Sequence, residues 1–364
     1  MDYKLLLEKF QLDSPPVKWE PHGNGNINST MVVTTESGRR YILQKINEEA
    51  FKDVPALMEN ISKVTDFLAK KAKEAGEKAP VLAQVKTIDG ESYVKEEDGY
   101  FRVAPFAENT ISLETPESDE DFYECAVAFG TFISKLGDYP AENLHETIPN
   151  FHNTPDRYRI FHEKLEAAKQ DPDLSKRVEE AKAEIQFALH REESAGILQS
   201  MRDKGELPTR VTHNDTKLNN VLLNADTRKL EYVIDLDTVM PGLAHYDYGD
   251  CIRFGASTGG EDEKDLSKIH CDMHLFEVFT DGFISACEGL TQKEIETLPL
   301  GAKTITLELA VRFLTDYLDG DKYFLTKYPG HNLDRCRTQM KLVSDMEEKW
   351  DEMQNVIARA TNRR

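Results

Sequence analysis

The sequence has no excess of basic residues, and this limits the partners that the protein can bind. It contains 45 Lys and Arg against 66 Asp and Glu among 364 residues, which gives a formal net charge of −21. Contacts with nucleic acid or an anionic membrane need clustered basic side chains, so we expect neither partner. A bound nucleotide stays compatible with such a chain, because local dipoles and a metal ion can neutralise its phosphates.

Cysteine and long apolar runs are scarce as well. The five cysteines form no CxxC pair, whereas a disulfide scaffold is typical of short secreted chains with an even number of cysteines. No apolar run reaches the roughly 18 residues that indicate a membrane-spanning helix. The first residues, MDYKLLLEKF, lack the apolar segment of a signal peptide. We therefore expect a cytoplasmic protein in a reducing compartment.

Two familiar motifs of metal and phosphate chemistry are also missing. The sequence contains no H-E-x-x-H, which excludes the helix-borne zinc site of many metalloproteases. It contains no G-x-x-x-x-G-K-[ST], which excludes the P-loop as a phosphate site. Any phosphate chemistry must therefore come from another arrangement of residues.

What the sequence does contain divides into two parts. A length of 364 residues favours two lobes, since one hydrophobic core seldom serves so long a chain. Periodicity predicts strands around 17–21, 29–35, 40–46, 92–95 and 100–106, one short helix at 3–11 and one long helix at 54–75. Further helices are predicted at 118–136, 156–169, 173–203, 262–288, 300–318 and 331–358, with a β-rich island at 209–235. We therefore predict an α+β protein with an N-lobe at 1–106 and a C-lobe at 107–364.

Residues with chemical potential concentrate in one segment, RVTHNDTKLNNVLLNADTRKLEYVIDLDT at 210–238. Two short strands around a turn at 225–228 are expected to place Asn220 opposite Asp235. Asp215 precedes Asn220 on the loop that enters this hairpin. Carboxylate and amide oxygens suit Mg²⁺, which shares its coordination with substrate phosphates. The segment therefore predicts a magnesium site next to a further carboxylate.

The spacing HxDxxxxN, formed here by His213, Asp215 and Asn220, is that of the kinase catalytic loop. A kinase needs a carboxylate that orients the attacking hydroxyl and accepts its proton, and further oxygens that hold the metal. The sequence therefore predicts phosphoryl transfer, with Asp215 as the base and Mg²⁺ on Asn220 and Asp235. A polar loop that only caps the hairpin is the alternative.

Together with the string HYDYGDCIRF at 245–254, these motifs resemble the aminoglycoside phosphotransferase and choline kinase superfamily. More narrowly, the chain is similar to the N-acetylhexosamine 1-kinases, through RVTHNDTKLNN, IDLDTVMPG, IRFGAST, EDEKDLSK, RFLTDYLDGD and TKYPGHNL. The resemblance runs from about residue 19 to about residue 345. It implies a bilobal protein-kinase-like fold, ATP as phosphoryl donor, Mg²⁺ as cofactor, and the C1 hydroxyl of N-acetylglucosamine or N-acetylgalactosamine as acceptor.

The resemblance also implies roles for residues outside the catalytic segment. Asp247 would brace the catalytic loop, and His213 would support it. The nucleotide would contact a glycine-rich loop, one strand and the linker between the lobes, at Gly23, Gly25, Gln44, Phe106 and Ala107. The sugar would contact Asn26, Asp215, Arg312 and Tyr323. A simple turn is the alternative for the glycine loop, and a surface ion pair is the alternative for Arg312.

Two positions depart from the family pattern. Gln44 stands in the strand YILQKI where kinases carry a phosphate-binding lysine, and Lys45 is its neighbour. Adjacent strand residues point to opposite faces of a sheet, so Gln44 and Lys45 cannot both face the nucleotide. Asn26 stands where a related sugar kinase has a histidine. The sequence leaves open which cation contacts the phosphates.

Other functions stay open at this point. Choline as the acceptor would need an aromatic box for its quaternary ammonium group. An aminoglycoside would favour an acidic pocket, and the net charge of −21 permits both substrates. A pseudokinase that only binds nucleotide is a third possibility, disfavoured because Asp215, Asn220 and Asp235 are all present.

Overall fold

The computed structural model describes residues 2–22 and 28–363. The chain forms two compact units, each assembled from separate segments. The first unit comprises Met1–Ser112, Asp138–Pro149 and Asn220–Pro241, and the second comprises Leu113–Gly137, Asn150–Asn219 and Gly242–Arg364. The predicted loop residues Gly23, Gly25 and Asn26 lie outside the described residues. The division into an N-lobe at 1–106 and a C-lobe at 107–364 remains a prediction.

The first unit contains a five-stranded antiparallel sheet. Its strands are β1 (Pro16–Pro21), β2 (Ser29–Thr35), β3 (Arg40–Lys45), β4 (Val94–Glu96) and β5 (Gly99–Pro105), in the order β1-β2-β3-β5-β4. All five lie where periodicity predicted them. The short helix α1 (Tyr3–Leu7), which ends earlier than predicted, buries Leu6 and Leu7 with Val33, Leu43 and Val103. In the pairing of β3 with β5, Gln44 lies opposite Arg102.

The long helix α2 (Val54–Ala75) coincides with its predicted bounds. The Asp53 carboxylate accepts a hydrogen bond from the backbone N–H of Ala56 at 3.0 Å and so caps the first turn. The helix ends at Gly76, whose φ of +69° only glycine adopts without strain. Asn60 on its buried face donates to the Val239 carbonyl at 3.1 Å. This bond ties the helix to the segment that follows the predicted metal ligands.

Five short strands follow in the chain: β6 (Thr110–Ile111), β7 (Arg210–Thr212), β8 (Val221–Asn224), β9 (Leu230–Val233) and β10 (Met240–Gly242). In the first unit, β6, β8 and β9 form a three-stranded sheet in that order. The predicted hairpin at 221–234 is therefore confirmed. Its register shifts between Leu222 and Leu223. Because Val221 pairs with Val233, Asn220 faces Ile234, whose N–H donates to the Asn220 carbonyl at 2.9 Å, and not Asp235 as predicted.

The second unit is helical. Its helices are α3 (Asp119–Lys135), α4 (Thr154–Gln170), α5 (Ser175–Glu180), α6 (Lys182–Leu189), α7 (Glu192–Ala195), α8 (Ile197–Asp203), α9 (Ala244–Gly255), α10 (Met273–Ala286), α11 (Gln292–Leu318), α12 (His331–Glu348) and α13 (Trp350–Arg363). The 27-residue α11 is mostly buried and begins with a capping box between Thr291 and Glu294. A Cβ at Gly249 would lie 2.6 Å from the Gly301 carbonyl oxygen, so α9 and α11 meet backbone to backbone at these glycines.

Several helix boundaries predicted in the second unit were wrong, and the helix predicted at 300–318 begins already at Gln292. The single helix predicted at 173–203 is four short helices, because the chain turns at Ala181, around 190–191 and at Gly196. The helix predicted at 262–288 starts only at Met273, where the Asp272 carboxylate caps the N–H groups of the first turn. The helix predicted at 331–358 is interrupted at Lys349. Within the described part of the chain, no helix has the length and apolar character needed to cross a membrane.

Candidate active site

The loop that carries the predicted base is held by a buried carboxylate of the second unit. The backbone N–H groups of His213 and Asn214 donate to the two Asp247 carboxylate oxygens at 2.8 and 2.7 Å. The Thr216 hydroxyl donates to the Asp247 carbonyl at 2.7 Å. Asn214 has a φ of +63°, a left-handed conformation that needs such support in a residue other than glycine. Asp247 thus binds the loop on both sides of the strained residue, as expected of a brace.

The environment of Asp247 makes its protonation sensitive to pH. The side chain is completely buried. Burial raises the pKa of Asp247 to about 6, although His213 and the two backbone N–H donors act in the opposite direction. Only the carboxylate can accept both N–H bonds, so the loop is held as described when Asp247 is ionised.

The side chain of His213 is part of the core of the second unit. Its ring is completely buried between Phe129 and Phe132, with ring centroids 5.4 and 5.8 Å away. The backbone N–H of Asp215 donates to its Nδ1 at 3.4 Å. His213 therefore supports the loop through this hydrogen bond and through the packing of its ring.

Asp215, the predicted base, has a cationic neighbour that sequence reasoning missed. Lys217 Nζ lies 2.7 Å from Asp215 Oδ1, and the two side chains are 40% and 24% exposed. Burial lowers the pKa of Lys217, but the Asp215 carboxylate outweighs burial and the pKa lies above the ordinary lysine value. Lys217 lies inside the HNDTKLNN motif, and its position two residues after Asp215 was the signal available.

The predicted metal ligands Asn220 and Asp235 belong to the first unit and flank its hairpin. Asn220 is buried, whereas Asp235 is exposed and has a φ of +60°. One amide and one carboxylate fit Mg²⁺, which takes few protein ligands and completes its shell with water and phosphate oxygens. Among residues 2–22 and 28–363 there is no cluster of three or more His, Cys, Asp or Glu side chains arranged for a metal. A magnesium ion that is shared with a nucleotide suits this donor set better than a cage made entirely of protein.

A buried charged network follows Asp235 in the same unit. Arg102 on β5 forms an ion pair with Asp237, and each side chain is only 4% exposed. Arg102 Nε also donates to Gln44 Oε1 at 3.0 Å. Asn28 Nδ2 donates to the other Asp237 oxygen at 2.6 Å. Sequence reasoning missed Arg102 and Asp237; a charge between the buried residues Phe101 and Val103 was the available signal.

The β3 residues lie on opposite faces, as strand alternation predicted. Gln44 is partly buried, and Lys45 is exposed. The linker residues follow β5, where the Phe106 N–H donates to the Arg40 carbonyl at 3.1 Å. The Arg40 guanidinium lies 3.9 Å from the centre of the Phe106 ring, and the Ala107 carbonyl accepts from Thr110 Oγ1 at 2.9 Å. Contact of this linker with adenine stays a prediction.

Two of the four residues predicted for the sugar, Arg312 and Tyr323, contact a common aromatic ring in the second unit. The Arg312 guanidinium lies 5.6 Å from the Phe324 ring centre and 5.7 Å from that of Phe151. The Tyr323 ring packs edge-on against Phe324 at 4.8 Å and is 73% exposed. Arg157 joins them through a 2.6 Å hydrogen bond to the Phe151 carbonyl. We call these five residues the arginine–aromatic cluster.

A buried histidine links this cluster to the catalytic loop. His152 Nδ1 lies 3.0 Å from Glu308 Oε1, one helical turn before Arg312, and His152 Nε2 lies 3.2 Å from the Asn214 carbonyl. Thr154 also donates to Glu308 at 2.9 Å. Burial raises the pKa of Glu308, but His152 and the two arginines outweigh it and the pKa is lowered. Glu308 is therefore an ionised residue whose oxygens are already engaged.

Comparisons with known proteins agree with this geometry. The family described as "Phosphotransferase enzyme family" matches residues 18–274 of the chain. The structure is similar to an aminoglycoside phosphotransferase from Alicyclobacillus acidocaldarius subsp. acidocaldarius, with 16% identity, a TM-score of 0.57, and 99% and 95% of the two chains covered. It is also similar to an amicoumacin kinase in complex with AMP-PNP, Ca²⁺ and Ami, with 14% identity, a TM-score of 0.60, and 94% and 93% covered.

A third similar structure is the choline kinase of Streptococcus pneumoniae, with 12% identity, a TM-score of 0.50, and 92% and 94% of the two chains covered. At sequence identities this low, the similarity supports only the fold. The predicted α+β, protein-kinase-like fold is confirmed. The three solved proteins are named for different small molecules, so their names support no single acceptor.

Proposed function

Because the chain belongs to the phosphotransferase enzyme family, whose model matches residues 18–274, we propose that it transfers the γ-phosphoryl group of ATP to an N-acetylhexosamine. The acceptor is the C1 hydroxyl, and the products are the sugar 1-phosphate and ADP. The observation that carries the proposal is the catalytic loop, where Asp215 stands on a backbone held by both oxygens of the buried Asp247.

In this proposal Asp215 orients the C1 hydroxyl and accepts its proton as the O–P bond forms. Phosphoryl transfer has a loose transition state, so alignment of the hydroxyl matters more than strong basicity. An anomeric hydroxyl is more acidic than an ordinary alcohol, which suits a carboxylate base. Lys217, whose Nζ lies 2.7 Å from Asp215 Oδ1, is the nearest cation described for the proposed base and belongs to the same loop.

The nucleotide side of the reaction rests on the first unit. Asn220 and Asp235 would hold Mg²⁺, which when bound offsets the negative charge of the phosphates. The protein contributes the hairpin that carries both residues and the bond between the Ile234 N–H and the Asn220 carbonyl at 2.9 Å. Contacts of Gly23, Gly25, Phe106 and Ala107 with the nucleotide are part of the proposal.

The arginine–aromatic cluster supports a neutral sugar as the acceptor. Arg312 offers a planar fork of donors for sugar hydroxyl or acetamido oxygens, and the exposed Tyr323 ring offers a face for the apolar side of the sugar. The cluster holds two arginines, Arg157 and Arg312, near enough that the charge of Arg312 helps burial to lower the pKa of Arg157. Asn26, which lies outside the described residues, is also proposed to contact the sugar.

The same cluster argues against a cationic acceptor. Choline would gain from the Phe151, Tyr323 and Phe324 rings, but the guanidinium of Arg312 stands beside two of them. An aminoglycoside would need free carboxylates, whereas Glu308 is already bonded to His152 and Thr154. A pseudokinase is disfavoured because the base and both metal ligands are present.

The test is ADP release with Mg·ATP and one acceptor at a time: N-acetylglucosamine, N-acetylgalactosamine, glucose, choline and kanamycin. We expect turnover with the N-acetylhexosamines and a product whose ³¹P signal couples to the anomeric proton. Turnover with choline or kanamycin alone would keep the phosphotransferase and overturn the sugar. Nucleotide binding without acceptor-dependent ADP release would support the pseudokinase.

A further inference from the structure

The first unit lacks a lysine at the position where kinases bind the nucleotide phosphates, and the structure offers a replacement. Gln44 holds that position on β3, and Lys45 is exposed on the opposite face. Directly across the sheet, β5 places Arg102 opposite Gln44. The Arg102 guanidinium is bonded to the Gln44 side chain at 3.0 Å. A full positive charge thus lies within one hydrogen bond of the position that usually carries the lysine.

Arg102 is held firmly where it is. Its Nη1 pairs with Asp237, which also accepts from Asn28 at 2.6 Å. Asn28 in turn accepts the backbone N–H of Asn47 at 3.0 Å. These bonds connect the start of β2, the end of β3, strand β5 and the turn that follows the hairpin. A guanidinium fixed by partners on several elements is preorganised, so little side-chain entropy is lost when it binds an anion.

The ion pair with Asp237 does not use up the guanidinium. The bonds to Gln44 and Asp237 engage two of the five N–H groups of an arginine. In protein kinases the phosphate-binding lysine is likewise paired with a carboxylate while it contacts phosphates. Asp237 follows the predicted metal ligand Asp235 by two residues, so the pair belongs to the loop that would meet the phosphates.

We propose that Arg102 is the cation that contacts the phosphates of ATP in this chain, in place of the lysine that Gln44 replaces. The inference rests on the proposed function only in taking ATP as the phosphoryl donor. It concerns the donor and is independent of the acceptor. Arginine can bind a phosphate through two parallel N–H bonds, a geometry that lysine cannot supply. The competing explanation is that Arg102 only neutralises the buried Asp237.

The two explanations differ in what the nucleotide must contain. If Arg102 contacts phosphates, its loss weakens the binding of ATP and ADP but leaves the binding of adenosine unaffected. If Arg102 only neutralises Asp237, its loss weakens the binding of all three ligands to the same degree, because the binding site itself is disturbed. Calorimetric titration of the full chain in EDTA with ATP, ADP and adenosine separates them, because the metal then makes no contribution.

The informative comparison is Arg102→Gln/Asp237→Asn against Asp237→Asn alone. The double variant leaves no unpaired buried carboxylate, so it is expected to fold, and Arg102→Lys is a second variant that keeps the charge. We expect the double variant to bind ATP at least about 30-fold more weakly than Asp237→Asn, with equal adenosine affinity, as for loss of a charged hydrogen bond. Arg102→Lys is expected to lose about tenfold in ATP affinity, because it keeps the charge and loses the fork.

Arg39→Gln is the matched control, because this exposed arginine immediately precedes β3, the strand that carries Gln44, and its loss is expected to leave all three affinities unchanged. Equal ATP affinity in the double variant and in Asp237→Asn would overturn the proposal. Equal weakening of adenosine and ATP would overturn it as well. If the wild-type protein failed to bind ATP even in the presence of Mg²⁺, the proposed function itself would fail; if ATP bound but no sugar were phosphorylated, only the acceptor would be wrong.

Discussion

An ion pair lies among the candidate functional residues of each unit, and the two pairs Lys217–Asp215 and Arg102–Asp237 differ in sequence separation and in burial. In the second unit, Lys217 and Asp215 are two residues apart in the chain, and their side chains are 40% and 24% exposed. In the first unit, Arg102 and Asp237 are 135 residues apart, and each is 4% exposed. Exposed pairs contribute about 0–1 kcal/mol, whereas breaking a buried pair from one side costs about 3–5 kcal/mol.

The difference in burial suggests a division of labour. An ion pair that contributes little stability can break when a substrate hydroxyl binds. Asp215 and Lys217 can therefore separate and contact substrate while the protein stays folded. A buried pair keeps its geometry and cannot open at low cost, so Arg102 and Asp237 suit a fixed binding surface. The predictions below test this contrast, from the largest expected effect to the smallest.

The largest effect is expected at the carboxylate of the exposed pair. Asp215→Asn removes the proton acceptor but keeps the side-chain shape, so we expect kcat to fall at least about 10³-fold. Thermal unfolding should shift by less than about 3 °C, since an exposed pair contributes little. Asp203→Asn, an exposed carboxylate at the end of α8, is the control. A near-normal kcat in Asp215→Asn would show that another group is the base.

The next effect concerns the buried pair. Arg102→Gln leaves the Asp237 carboxylate buried without its cation, so we expect the free energy of unfolding in urea to fall by about 3–5 kcal/mol. Asp237→Asn in the same background should recover most of this loss. A change below about 1 kcal/mol would mean that the pair behaves like an exposed one and that the contrast between the units is wrong.

A third prediction uses the buried brace of the catalytic loop. The pKa of Asp247 is raised to about 6 from an unfolded value of 3.8, so the folded protein binds the proton more tightly. This group therefore favours folding most below pH 4, and that contribution is lost as the pH rises through 6. Activity should follow the opposite direction, because the loop needs the carboxylate: kcat should fall as the pH drops below about 6, up to about tenfold per pH unit.

The measurement for this prediction is kcat at saturating substrates between pH 5 and pH 8. Asp247→Asn is the control for nucleotide titration, since a phosphate group ionises in the same range. The pH profile of kcat for Asp247→Asn should show only the titration of the nucleotide. Its plateau should be lower than in the wild type, because one backbone N–H of the loop loses its acceptor. Identical profile shapes for the two proteins would show that Asp247 does not set the acidic limb.

A fourth prediction concerns the acceptor side. Arg312→Gln should raise KM for the N-acetylhexosamine about tenfold, the effect of one or two lost hydrogen bonds. KM for ATP should stay within about twofold, because the arginine–aromatic cluster is assigned to the sugar. The measurement is a pair of saturation curves, with Arg202→Gln on α8 as a matched control. An equal rise in both KM values would place Arg312 outside the sugar site.

The smallest effect is expected for the stability contribution of the exposed pair. Lys217→Gln should change the free energy of unfolding by less than about 1 kcal/mol, because the pair remains accessible to solvent. Urea unfolding of this variant, compared directly with Arg102→Gln, measures the contrast between the two units. A loss of about 3 kcal/mol or more would mean that Lys217 holds the catalytic loop in place and does not open for substrate.

Local patterns in the sequence predicted much of the fold. Helix α2 was predicted to the residue, because its apolar positions repeat at helical spacing between an Asp cap and a terminal Gly. The strands and the hairpin at 221–234 followed from alternation and turn residues. The prediction of one helix at 173–203 was wrong. Each short helix there has a helical composition, but the interruptions at Ala181 and Gly196 depend on packing. Propensity is a weak guide wherever tertiary contacts decide the ends of helices.

The sequence alone determined the candidate catalytic motif, since His213, Asp215 and Asn220 lie within one short segment whose spacing is itself the signal. Only the tertiary structure decided which distant residues serve that loop. His152 reaches both Glu308 and the Asn214 carbonyl, and Arg102 pairs with Asp237. Such partners are brought together by sheet register and helix packing, and no local spacing encodes them. The absence of a lysine at position 44 is therefore visible in the sequence, whereas the buried arginine that can replace it is visible only in the folded protein.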